Sequence, residues 1–209
     1  MKEGAFIKIC CVGDSLTHGD YGVFGKRGIA NLSDKNYPFF LSEILEQPVC
    51  NLGCCGITST GYLQRYRENR YDFSGADIIL VMLGTNGGLW GEYKQDYIEL
   101  VKALENDYSA EVILITPPHA TENPKLSNYG YAKNVAIAVE CVKEIAKENK
   151  NKLIDLASYS EFNAENEKIM QPNDGLHYGE LGYKHMATFI AKALVEFFPE
   201  KLEIKKNLI

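Results

Sequence analysis

A chain of 209 residues, 45% hydrophobic and 24% charged, is long enough to enclose a full hydrophobic core and is expected to form one catalytic domain over residues 1–209. Its formal net charge of −6, with no clustered basic face, excludes a protein that tracks nucleic-acid phosphates or an acidic membrane surface. No run reaches the roughly 18 apolar residues of a bilayer span, and the N-terminal "MKEGAFIKICCVGDS" lacks the apolar core of a secretory signal, so the expected location is cytoplasmic.

The chain alternates short apolar runs with helical patterns. "FIKICCV" (6–12) reads as the first strand and ends at Gly13. A glycine-rich stretch from His18 to Lys35 follows, carrying Gly19, Gly22, Gly25, Gly28 and the Lys26-Arg27 pair. It has neither the G-x-x-x-x-G-K-[ST] nor the G-x-G-x-x-G pattern of phosphate cradles, and is expected to be a long loop along the site edge. The spacing of Phe40, Leu41, Ile44 and Leu45 predicts a helix over 37–46, with Pro38 near its start and Pro48 past its end. "VCNLG" is a second strand, followed by a helix over 59–70. "ADIILVMLG" (76–84) is the strongest strand, continuously apolar as a parallel strand buried on both faces is.

Tyr93, Tyr97, Leu100, Val101 and Leu104 then mark an amphipathic helix, "EVILIT" a fourth strand stopped by Pro117 and Pro118, and Val135, Val139, Val142 and Ala146 a helix over 129–149. "KLIDL" is a short fifth strand and 180–198 the last helix. Strands alternating with helices imply an α/β fold with a parallel sheet, whose strand ends share one ligand-binding edge. Six cysteines raise the question of disulfides; adjacency in Cys10-Cys11 and Cys54-Cys55, and the absence of a zinc-type Cys-x-x-Cys, favour small buried hydrophobes.

The punctuation falls on that edge. "GDS" ends the first strand, presenting Ser15 as either a turn residue or a nucleophile. A serine nucleophile needs a base, an orienter for it and donors for the oxyanion. Of the four histidines, His177 lies in "NDGLHYGELGY" with Asp174 three residues earlier, either a turn at Asp174-Gly175 with His177 helping to cap a helix, or a carboxylate close enough to fix the imidazole tautomer. His18 is too near Ser15 in sequence to be its base and is expected to border the site, and His119 stands where it could touch substrate. Gly53 in "NLGCCG" offers a backbone N–H and Asn86 in "LGTNGG" an amide. Asp14 reads as a turn-former supporting the loop. Trp90 either lines the acyl or alcohol pocket or packs into the core.

With "GDSL" around Ser15, "NLGCCG" around Gly53, "GTN" at Asn86 and "DGLH" at Asp174 and His177, the chain resembles the Ser-Gly-Asn-His (SGNH) hydrolases, also called GDSL esterases or lipases, over residues 6–195. The resemblance implies a flavodoxin-like three-layer α/β/α sandwich on a five-stranded parallel sheet. It also implies an acyl-enzyme mechanism with Ser15 as nucleophile, His177 as base, Asp174 as orienter, and Ser15 N–H, Gly53 N–H and Asn86 as oxyanion donors. The partner so implied is a small ester, with acetyl or short acyl groups, including those on carbohydrates, set against lysophospholipid or thioester substrates and against a non-catalytic ligand-binding domain. No metal or cofactor is expected. One departure is visible: Gly87 stands where the family often has Asp after the third-block Asn.

Overall fold

The computed structural model describes residues 6–24, 30–87 and 90–208. Five parallel strands, β1 (Ile9–Gly13), β4 (Val49–Gly53), β5 (Ile78–Met82), β6 (Glu111–Ile115) and β7 (Lys152–Ile154), form one sheet in the order β4-β1-β5-β6-β7. Counting these strands alone, the order is 2-1-3-4-5, the doubly wound pattern in which the chain reverses direction across the sheet beside the first strand. The apolar runs form central strands because every residue of β1 and β5 is buried on one face or the other.

Side chains alternate across a strand, and that alternation divides the core. Ile9, Cys11, Leu80 and Met82 face α2 (Tyr37–Leu45) and α7 (Glu180–Phe197), packing on Leu41, Ile44, Tyr183, Ile190 and Leu194. Cys10, Val12, Ile79 and Val81 face α3 (Ser59–Arg67), α4 (Trp90–Asp107) and α5 (Tyr131–Asn149), packing on Tyr62, Leu100, Val101 and Val142. The result is the three-layer sandwich. Helix starts follow their capping residues: Asn36 and Thr58 accept N–H bonds from Phe39 and Gly61 at the heads of α2 and α3.

Two readings of the sequence change. The glycine-rich stretch is not wholly a loop: β2 (Asp20–Phe24) pairs antiparallel with β3 (Ala30–Leu32) outside the main sheet, while residues 25–29 lie outside the described residues. The six cysteines are all free, but only Cys10 and Cys11 are buried; Cys50, Cys54, Cys55 and Cys141 are half-buried. Short helices α1 (Ser15–His18) and α6 (Glu167–Met170), and one 3-10 turn (Leu156–Ser158), complete the elements.

Candidate active site

Ser15 owes its position to the residue before it. Asp14 closes β1 and accepts the Leu16 N–H on Oδ1 at 3.0 Å, which turns the backbone into α1 and sets Ser15 at that helix's first position. The sheet brings a distant loop to it. Between α6 and α7, Asp174 accepts the N–H groups of Leu176 and His177 on Oδ1, each at 2.9 Å. This tight turn throws the His177 ring toward the end of β1. His177 Nδ1 stands 2.7 Å from Asp174 Oδ2, and His177 Nε2 stands 2.9 Å from Ser15 Oγ. With Nδ1–H donated to the carboxylate, Nε2 is left to accept from the serine hydroxyl.

The electrostatics follow from these contacts. Burial pushes the Asp174 carboxyl up, but the side-chain and backbone N–H bonds of His177 outweigh it and hold Asp174 below the usual carboxylate range. Burial pushes His177 down; Asp174, and then the charges of Asp20 and Asp14, overcome that and raise it. Burial dominates at Asp14, which is pushed up to about 6.

Three contributors lie outside the sequence reading. Asn128, in the loop before α5, donates to Asp174 Oδ2 at 2.8 Å. Asp20, at the start of β2, puts Oδ2 3.7 Å from His177 Nε2. Gly22 presses on the Asp174-His177 loop: at φ +70° it is in the left-handed region, and a Cβ there would meet the Asp174 carboxyl at 2.5 Å. Neither Asp20 nor Asn128 belongs to a recognisable motif, so only long-range packing reveals them.

The three residues expected to receive an oxyanion are placed differently from one another. The Ser15 N–H lies in the first turn of α1, where a helix N–H has no partner within its helix. Asn86, half-buried after β5, turns its Nδ2 to the Ile57 carbonyl at 3.2 Å, against the loop that follows β4. Gly53 departs from expectation. Its N–H is taken by Asn51 Oδ1 at 2.9 Å, and its α-carbon packs so closely on α1 that a Cβ would lie 2.3 Å from His18 N. Gly56, the second glycine of "GCCG", has φ +70° and open space where a Cβ would stand, and its N–H has no hydrogen-bond partner among the described residues.

Among the remaining candidates, His18 is half-buried at the end of α1 with Nδ1 3.6 Å from Cys55 Sγ, so it borders the same loop. His119 turns away: its Nε2 is 4.0 Å from Glu167 Oε2, and its ring lines a cavity with Pro118, Val135, Val139 and Phe162 that includes no member of the Ser15-His177-Asp174 chain. Its carbonyl is structural, accepting from Gln171 Nε2 and the Tyr178 hydroxyl, each at 2.8 Å, on either side of the Asp174-His177 loop. Trp90 opens α4, but its side chain lies outside the described residues. Gly87, in place of the family's Asp, donates its N–H to Gly84 O at 3.2 Å. No group of His, Cys, Asp and Glu among the described residues could hold a metal ion.

A family model described as GDSL-like lipase/acylhydrolase matches residues 11–185. The chain is 27% identical to an acetylxylan esterase of Xylanibacter ruminicola, over 92% of this chain and 44% of that protein, so it spans less than half the relative's length. Solved structures superpose over nearly the whole chain. The aryl esterase of M. smegmatis does so with TM-score 0.74 at 17% identity, covering 91% of this chain and 99% of that one. A carbohydrate acetylesterase family member from Sinorhizobium meliloti gives 0.71 at 17%, covering 93% and 100%. At these identities the likeness to solved structures establishes the fold.

Proposed function

The chain belongs to the GDSL-like lipase/acylhydrolase family, and from that premise we propose that it is a carboxylic ester hydrolase that removes small acyl groups, acetyl above all, from the hydroxyls of carbohydrates through an acyl-enzyme on Ser15. The observation that carries the mechanism is the unbroken chain Ser15 Oγ–His177 Nε2–Asp174, at 2.9 and 2.7 Å. The acetyl and carbohydrate preference rests on the acetylxylan esterase relative and the carbohydrate acetylesterase neighbour.

In the proposed reaction, Ser15 Oγ attacks the acyl carbonyl as His177 Nε2 takes its proton. Asp174 holds the ring and stabilises the imidazolium. The carbonyl electron pair moves onto oxygen, which the Ser15 N–H, the Gly56 N–H and the Asn86 amide receive. Collapse breaks the bond to the leaving alcohol, which takes the proton from Nε2. Water then repeats the sequence on the acyl-enzyme. Gly56 replaces Gly53 as the backbone donor in this scheme, because the Gly53 N–H is already bound.

A panel of p-nitrophenyl esters of increasing chain length, together with acetylated sugars, tests this on the parent and on Ser15→Ala. Turnover of acetyl esters is expected in the parent and its near-complete loss in Ser15→Ala; equal rates in the two would overturn the nucleophile. Asn86→Ala is expected to lower kcat by roughly 10²–10³, the usual effect of removing one oxyanion donor.

A further inference from the structure

The first strand of the hairpin holds a group that the Ser15-His177-Asp174 chain does not use. Asp20 is buried, and its Oδ2 faces the Nε2 edge of the imidazole, the edge that serves Ser15. It is fixed from several sides. Its Oδ1 accepts the Gly22 N–H at 2.9 Å, and its carbonyl accepts the Tyr183 hydroxyl of α7 at 2.7 Å. The next residue is held too, Asn173 Nδ2 donating to Tyr21 O at 2.6 Å. Asp20 Oδ2 accepts no hydrogen bond among the described residues; the His177 ring is what it faces.

We propose that Asp20 is a positioning residue for the catalytic imidazole, a second carboxylate that stabilises the imidazolium from the nitrogen opposite the one Asp174 holds. This rests on the esterase reading above. When Ser15 attacks, the Oγ–H bond breaks, the Oγ–C bond forms and the proton passes to Nε2, so a full positive charge appears between Asp174 and Asp20. When the intermediate collapses, the proton goes from Nε2 to the leaving alkoxide; Asp20 neither takes nor gives one. At 3.7 Å the contact is longer than a hydrogen bond. Asp20 therefore acts through its charge and leaves Nε2–H free to turn to the leaving oxygen.

The charges acting on the ring are Asp174 from its own loop, Asp20 from β2 and Asp14 from the junction of β1 and α1. All are acidic, and among the described residues no lysine or arginine forms an ion pair with any of the three. Removing one negative neighbour lowers the basicity of His177, so the acidic limb of the rate profile moves to lower pH. A charge within about 4–6 Å shifts such a group by about one unit or more.

Asp20→Asn in the full chain tests this, because its amide oxygen still accepts the Gly22 N–H and the hairpin is kept. With p-nitrophenyl acetate, the acidic limb of kcat/KM is expected about one pH unit lower than in the parent, with plateau kcat down about tenfold and KM unchanged. The same downward shift is expected when the substitution is made in an Asp14→Asn background, which removes the neighbour whose carboxyl burial pushes up to about 6. Asp20→Ala, which also loses the Gly22 bond, moves the limb in the same direction. An acidic limb that stays put or moves up would overturn the inference; so would a raised KM at constant kcat, which would make Asp20 a grip on substrate. Retained turnover in Ser15→Ala would bring down the esterase reading separately.

Discussion

Asp14 and Asp174 are both buried carboxylates within reach of the same imidazole, and their surroundings drive them in opposite directions. Asp174 is stabilised as an anion by donors from Leu176, His177 and Asn128. Its pKa is lower folded than unfolded, so it contributes stability above the unfolded value, lost as pH falls through the folded one. Asn128→Ala removes one charge-assisted bond from this carboxylate and is expected to lower kcat about tenfold, measured with a short p-nitrophenyl ester. Asp14 has the reverse sign. Burial raises it to about 6, against the Leu16 N–H and Thr85, which favour the charged form. The folded state therefore binds the proton more tightly, and this group's contribution falls as pH rises from about 4 to about 6. Asp14→Asn keeps a cap for α1 and carries no charge. Urea denaturation should show the variant gaining on the parent by up to about 3 kcal/mol across that window; a gap independent of pH would contradict the raised carboxyl.

The hairpin of β2 and β3 lies outside the main sheet, with its first strand against the Asp174-His177 loop. It sets Asp20 against His177 and Gly22 against Asp174. Gly22→Ala places a methyl in left-handed backbone and against the Asp174 carboxyl, so the loss is expected in kcat, at least tenfold, ahead of stability. Parallel thermal melts and initial rates separate the two. This element is also where the sequence is least readable. Strands β1 and β5 announce themselves because both faces are buried, leaving an uninterrupted apolar run. The "DYGVF" and "ANL" strands are too short and too polar to carry an alternating pattern, and they pair only with each other. The Asp174-His177 spacing is local and visible in "DGLH". The approach of Asp20 to the same ring depends on packing between residues far apart in the chain, and no spacing encodes it. Gly53 and Gly56 illustrate a finer limit. Both belong to "NLGCCG", and which of them keeps a free N–H is decided by the Asn51 side chain folding back onto Gly53.

At the scale of the molecule, the sheet separates two apolar layers that share strands but not side chains. Ile190 on α7 packs in one and Leu100 on α4 in the other, both fully buried. Ile190→Val is expected to lower stability by about 0.5–1.5 kcal/mol and Leu100→Ala by about 2–5 kcal/mol, through lost contacts and the cavity left behind. Because neither residue has a packing partner in common with the other, the double variant should lose the sum to within about 0.5 kcal/mol in denaturant titrations. A larger departure would mean that the sheet transmits strain between the layers instead of isolating them. Activity offers the complementary readout. Ser15 and Asn86 follow the carboxyl ends of β1 and β5, His177 reaches the same edge from the loop between α6 and α7, and none of the three belongs to either apolar layer. Per folded molecule, kcat in each variant should therefore match the parent at a temperature well below its unfolding transition. A core variant that stayed folded yet lost turnover would place the site's geometry under the control of the layer it loosened.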